Sequence, residues 1–121
     1  MFDPRILAGK SILVTGGGSG LGLAMARTFA SHGAKVTVAG RTKERLEAAV
    51  KEISASAREG GEADFWPADV RDPGQVERLV AHAVERFGKL DGLVNNAAGN
   101  FLALSDTLTP NGFDTIVRTV L

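Results

Sequence analysis

Residues 11–24, SILVTGGGSGLGLA, constrain the fold more than any other stretch of this chain. An apolar run at 11–14 gives way at once to glycines at 16, 17, 18, 20 and 22, and the apolar spacing beyond them is helical. Glycine inside a helix or strand costs roughly 0.5 to 1 kcal/mol relative to alanine, so this density needs a backbone reason. Strand, glycine loop and helix in that order supply one. The loop lies at the carboxyl end of the strand, and the helix N-terminus turns unpaired N–H groups and a partial positive charge into the same crevice. A pyrophosphate suits that environment.

The strand-then-helix pattern repeats along the chain. Short strands are predicted at 11–14, 35–39, 63–66 and 92–95. The first helix carries Leu21, Ala24, Met25, Thr28 and Phe29 on one face and stops at Gly33. A second, over 43–57, buries Leu46, Ala49, Val50 and Ile53 and ends at Gly60-Gly61. A third starts with Asp72 as cap and Pro73 in its first turn, with Val76, Leu79, Val80, Ala83, Val84 and Phe87 on its apolar face. A fourth begins at Thr109-Pro110 and is still running at Leu121. Parallel strands joined by right-handed helical crossovers give an α/β doubly wound sheet in the order 3-2-1-4, within one domain over 1–121. In that arrangement strand four is an apolar edge with open ladder positions, which predicts association through it and marks the chain as the N-terminal part of a longer protein.

Charge and composition narrow the partners. Fourteen Lys and Arg balance fourteen Asp and Glu, with no basic block for nucleic acid or an anionic membrane, so the expected partner is a small molecule. No apolar run approaches the roughly 18 residues of a membrane span, and the opening MFDPRILAGK lacks the order of a secretory signal, so a cytoplasmic protein is expected. Without cysteine there is no disulfide and no thiolate metal site. His32 and His82 lack partners at metal-ligand spacing and read as surface residues, and Trp66 reads as packing on strand three. No metal is expected.

The loop is not G-x-G-x-x-G, because Leu21 stands sixth from Gly16; it is T-G-x-x-x-G-x-G, on Thr15, Gly16, Gly20 and Gly22. On that motif and its position the chain resembles the short-chain dehydrogenase/reductase family, and the resemblance extends along the whole chain. It implies the N-terminal half of a Rossmann-type sheet holding a nicotinamide dinucleotide. Gly16 would permit the turn, Gly20 the approach of backbone to pyrophosphate, and Gly22 the packing of helix on strand, while Ser19 and Leu21 add hydroxyl and backbone contacts. Asp69 and Val70 would hold adenine through a side chain and a backbone N–H. In NNAAG, residues 95–99, Asn95 would brace the sheet, with Asn96, Ala97 and Gly99 beside the cofactor ribose; Ala98 departs from the commoner N-N-A-G.

The end of strand two chooses between cofactors, since a carboxylate there accepts from the adenosine ribose and repels an added 2′-phosphate. Gly40-Arg41-Thr42 offers no carboxylate, and the planar fork of Arg41 matches a phosphate. Thr42 and Lys43 add a hydroxyl and charge, which favours NADP(H) over NAD(H). The competing reading is a solvated Arg41 paired with Glu44.

NNAAGNFL and ADVRDP are similar to the branch of the family containing 2,4-dienoyl-CoA reductases. The resemblance implies an enoyl- or dienoyl-CoA substrate, with Arg71 and Phe101 as acyl-CoA contacts and Thr109 near the substrate, whereas other branches reduce carbonyl compounds. It also implies a homo-oligomer, dimer or tetramer, for the full-length protein. Family chemistry assigns proton transfer to a tyrosine assisted by a lysine. This chain has no tyrosine and no catalytic residue of that kind, so the expectation is the cofactor-binding part of an oxidoreductase, inactive alone. The alternative is a non-catalytic nucleotide-binding or interaction module.

Overall fold

The computed structural model describes residues 4–18 and 20–96, and the backbone of 101–104. Strands β1 (Ser11–Thr15), β2 (Lys35–Gly40), β3 (Glu62–Pro67) and β4 (Gly92–Asn95) alternate with helices α1 (Gly20–Ser31), α2 (Lys43–Ser56) and α3 (Pro73–Phe87), and β5 (Phe101–Leu104) follows. The sheet order is β3-β2-β1-β4-β5. The first four strands are parallel, with Thr15 level with Ala39 on one side and Asn95 on the other. The carboxyl ends of β1, β2 and β4 therefore finish along one edge.

β1, β2 and β4 are buried on both faces, as a parallel sheet between helices requires, while the edge strand β3 is only half-buried. Ile12, Val14, Val36 and Val38 face α1 and α2, where they meet Ala26, Ala30, Leu46, Ala49 and Ile53. Leu13, Ala39 and Leu93 face α3, where they meet Val76 and Leu79. Full burial of each branched side chain contributes about 1.5 to 3 kcal/mol.

Three expectations need correcting. On α1 the buried residues are Gly22, Ala26 and Ala30, one position on from the predicted face, and Leu21 is 52% exposed. The helix lies too close to the sheet for anything larger, so its smallest side chains, at four-residue spacing, turn inward and its larger ones flank the contact. On α3, Val84 is 41% exposed: His82 faces β3, and a helical residue two positions on points to nearly the opposite side. Finally, β4 is not an open edge. β5 pairs with it antiparallel, from Gly92 opposite Leu104 to Asn95 opposite Phe101, which occupies the ladder positions expected to drive association.

His82 is a built contact rather than a surface residue. Its Nε2 lies 2.8 Å from Asp64 Oδ2, and its ring stacks on Trp66 at 4.4 Å between centroids. Glu62, Asp64 and Trp66 share the α3-facing side of β3 by strand alternation. Arg86 reaches both carboxylates, so α3 is held on the edge strand by a charged and aromatic contact. The α3 cap matches expectation: Asp72 Oδ1 accepts from the N–H groups of Gly74 and Gln75, with Pro73 in the first turn and Gly88 left-handed at the other end.

Candidate functional site

Beyond the carboxyl ends of β1, β2 and β3 the loops enclose a groove of about 410 Å³, the position at which doubly wound sheets bind their ligands. The β1 loop forms one wall. Gly16 and Gly17 both donate their N–H to the Ala39 carbonyl, at 2.8 and 3.4 Å, so the loop is tied down on β2 and those two donors are spent. The donors left for an anion are those of the following residues and of the first turn of α1, whose N–H groups have no partner within the helix. That turn contains no acidic residue, which leaves its positive end uncompensated.

Gly20 has φ of 59°, left-handed backbone that a side chain strains, and a Cβ there would meet nothing within 4 Å. The space beside it is open. At Gly22 the demand is different, since a Cβ would overlap the Gly16 carbonyl oxygen and approach Asn96 Nδ2 to 3.1 Å. Gly22 thus seats the helix start on the loop and on the end of β4. The Asn96 N–H donates to the Thr15 carbonyl at 3.3 Å, while the Thr15 hydroxyl donates to Asn95 Oδ1 at 2.9 Å. Asn95, 3% exposed, ties β1 to β4, in keeping with its expected bracing role. Thr15 is its partner, a function not read from the motif.

The second wall is the turn from β2 into α2. Gly40, Arg41, Thr42 and Arg45 line the groove. Thr42 occupies the α2 cap position, yet its side chain makes no cap hydrogen bond. Among the described residues Arg41 forms no ion pair, so the alternative pairing with Glu44 is not made, and Lys43 pairs along the helix with Glu47 at 3.8 Å. Arg45, one turn into α2, adds a cation to the groove that was not expected from the sequence.

The third wall, after β3, joins two residues expected to serve different ligands. Arg71 donates from Nε to Asp69 Oδ1 at 3.1 Å and from Nη2 to Oδ2 at 2.9 Å, and its own N–H donates to Oδ1 at 3.0 Å. Both residues line the groove with Val70 and Ala68. The Asp69 N–H in turn donates to Gln75 Oε1 at 2.8 Å, and Gln75 Nε2 donates to Asp72 Oδ2 at 3.1 Å. Gln75 was also missed, although Asp72 followed by Gln75 has the spacing of a capping box.

The Arg71 side-chain hydrogen bond first, and then its backbone N–H, hold the Asp69 carboxyl down at about 2 against an ordinary 3.8. Asp69 is therefore ionised at neutral pH. The pair's contribution is complete above the ordinary value and is lost only as pH falls through about 2. In an NMR titration of carboxyl carbons, Asp69 is expected to show a midpoint near 2, and Arg71→Met should return it to the usual carboxylate range. An unchanged midpoint in the variant would mean that Arg71 does not set it.

Gly16, Arg41, Thr42, Asp69, Val70 and Arg71 thus meet in one groove, with Gly20, Leu21 and Gly22 at the adjoining start of α1 and Asn96 at the end of β4. Ser19, Ala97, Gly99 and Thr109 lie outside the described residues, as does the helix expected from Thr109; Phe101 is described only as part of the β5 backbone.

The family described as short chain dehydrogenase matches residues 10–121. A peroxisomal 2,4-dienoyl-CoA reductase of Arabidopsis thaliana is 44% identical over 116 residues, covering 96% of this chain and 38% of that protein. A probable 2,4-dienoyl-CoA reductase of Bacillus subtilis is 42% identical over 112 residues, covering 93% and 43% respectively. Among solved structures, the citronellol catabolism dehydrogenase of Pseudomonas aeruginosa is similar with a TM-score of 0.73 at 36% identity, covering 98% of this chain and 47% of that one. The chain spans about two fifths of the length of the curated relatives it matches.

Proposed function

The chain belongs to the short-chain dehydrogenase family, and from that premise we propose that residues 1–121 form the nucleotide-holding part of an NADP(H)-dependent oxidoreductase. The observation that carries this reading is the convergence of the β1 glycine loop, Arg41 and Asp69 in one groove at the carboxyl ends of the strands. The uncompensated start of α1 receives the pyrophosphate, with Ser19, Gly20, Leu21 and Gly22 around it. Arg41, assisted by Thr42, receives the 2′-phosphate. Asp69 and Val70 hold adenine, and Asn96, Ala97 and Gly99 border the cofactor ribose. Bound there, the cofactor supplies a hydride donor or acceptor.

An enoyl- or dienoyl-CoA is the proposed substrate, supported by relatives named 2,4-dienoyl-CoA reductases, with Phe101 and Thr109 at the substrate end. The chain contains no tyrosine, so its own residues do not supply the proton donor that the family resemblance assigns to tyrosine. The 121-residue chain is accordingly proposed to bind nucleotide without turning over substrate, and a longer homo-oligomeric protein to carry the activity. No helix of the described residues is long and apolar enough to cross a membrane. The cytoplasm is the proposed compartment, although the Arabidopsis relative is named peroxisomal.

Titration of the chain with NADPH and with NADH tests the cofactor reading. NADPH is expected to bind about tenfold or more tightly, the scale of a charge-assisted phosphate contact. Equal affinities would overturn NADP(H) preference, and no binding of either would overturn the nucleotide site. A full-length form that reduces simple ketones and ignores dienoyl-CoA would refute the substrate class.

A further inference from the structure

We propose that Arg71 is a positioning residue that fixes the Asp69 carboxylate to select a nucleobase bearing an exocyclic amino group, instead of acting only on the acyl-CoA. The inference rests on the nucleotide reading above and names what discriminates the base within it.

Arg71 grips Asp69 through two side-chain donors and its backbone N–H, while Gln75 anchors the Asp69 backbone N–H from the first turn of α3. The carboxylate is therefore oriented from both ends. Oδ1 takes two of the Arg71 bonds and Oδ2 takes one, and a carboxylate oxygen has about two acceptor positions, so Oδ2 keeps one for a ligand. The Asp69 side chain is 28% exposed, open to the groove's contents. Apolar Leu46, Ala68 and Val70 line the same groove and suit the faces of a planar ring. An ionised acceptor held beside such a ring accepts from an amino group and repels a carbonyl oxygen in its place. Arg71 thereby divides its work: its fork fixes Asp69, and its charge adds to those of Arg41 and Arg45 around the same space.

The probes are NADPH and its hypoxanthine analogue, in which a carbonyl replaces the 6-amino group. The wild-type chain is expected to prefer NADPH by about tenfold, the scale of a hydrogen bond to a charged group. Arg71→Met removes both fork and charge, so affinity for both nucleotides falls and the preference shrinks to within about twofold. Arg71→Lys keeps the charge without the bidentate fork, and separates the two effects: affinity for the analogue stays near wild type while the preference is lost. Circular dichroism confirms that each variant folds, which the 73% exposure of the Arg71 side chain allows. A wild-type chain that binds NADPH and its analogue equally, or a preference that survives in both variants, overturns this inference and leaves the cofactor reading standing. Failure of the wild-type chain to bind either nucleotide overturns that reading, and this inference with it.

Discussion

Gly22→Ala is expected to cost about 3 kcal/mol of stability and to abolish nucleotide binding. The added methyl would overlap the Gly16 carbonyl oxygen, 2.9 Å from its carbonyl carbon and 3.1 Å from Asn96 Nδ2. The Gly16 carbonyl cannot yield cheaply, because Gly16 is tied to Ala39, whereas the Asn96 side-chain amide needs to shift only slightly. Relief comes by lifting α1 off the sheet, which opens the contacts of Ala26 and Ala30, or by displacing the loop that forms the groove wall. Overpacking of this kind costs about 1 to 3 kcal/mol, a large share of the roughly 5 to 15 kcal/mol that a domain has. Gly61→Ala is the matched control, since its methyl would overlap the Ala30 carbonyl oxygen far from the groove. It should lower the urea midpoint similarly and leave nucleotide affinity nearly unchanged under conditions where the chain is folded. Gly20→Ala meets no atom and carries only the left-handed backbone cost of about 1 kcal/mol, yet its side chain enters the space beside the helix start. It should weaken nucleotide binding with little loss of stability. Wild-type affinity in folded Gly22→Ala would show that the seating of α1 on the loop does not hold the nucleotide.

What was legible in the sequence followed from local rules. Alternating strand and helical spacing located β1 to β4, right-handed crossovers ordered them in the sheet, and Asp72-Pro73 marked the start of α3, which neighbouring residues alone decide. The face of α1 was not legible from hydrophobicity. Leu21 is more apolar than Gly22, but the distance between helix and sheet is set by a carbonyl oxygen sixteen residues into the chain, and only glycine fits against it. β5 was missed for a different reason. FLAL is an ordinary apolar run until Gly92 to Asn95 are placed beside it, and antiparallel pairing is a tertiary fact. The site divides in the same way. The glycine spacing and Arg41 were visible as motifs, whereas the meeting of Asp69 with Arg71 depended on side-chain reach across a loop. By motif the two residues belong to separate ligands, and the fold puts them in one pair.

Arg41→Ala should lower affinity for NADP(H) by about ten- to hundredfold and leave affinity for NAD(H) within about twofold, which would remove the cofactor preference at a single position. The 2′-phosphate is the only group by which the two ligands differ, so the ratio of the two affinities isolates the interaction from general damage to the groove. Arg41 is suited to this effect because it makes no ion pair among the described residues, and a guanidinium already engaged by a carboxylate would first have to be released. The uncommitted Thr42 side chain at the start of α2 adds a possible donor beside it, and Arg45 contributes charge without being expected to replace the lost fork. Because Arg41 is exposed, the interaction is screened, and the wild-type preference should narrow as salt is raised from about 0.05 to 0.5 M while the variant's ratio stays flat. Arg41→Asp has a larger expected effect: a carboxylate there repels the 2′-phosphate and accepts from a free ribose hydroxyl, so the preference should invert toward NAD(H). Isothermal titration of the three chains with both cofactors decides the matter. If Arg41→Ala weakens the two equally, the arginine supports the groove without reading the phosphate.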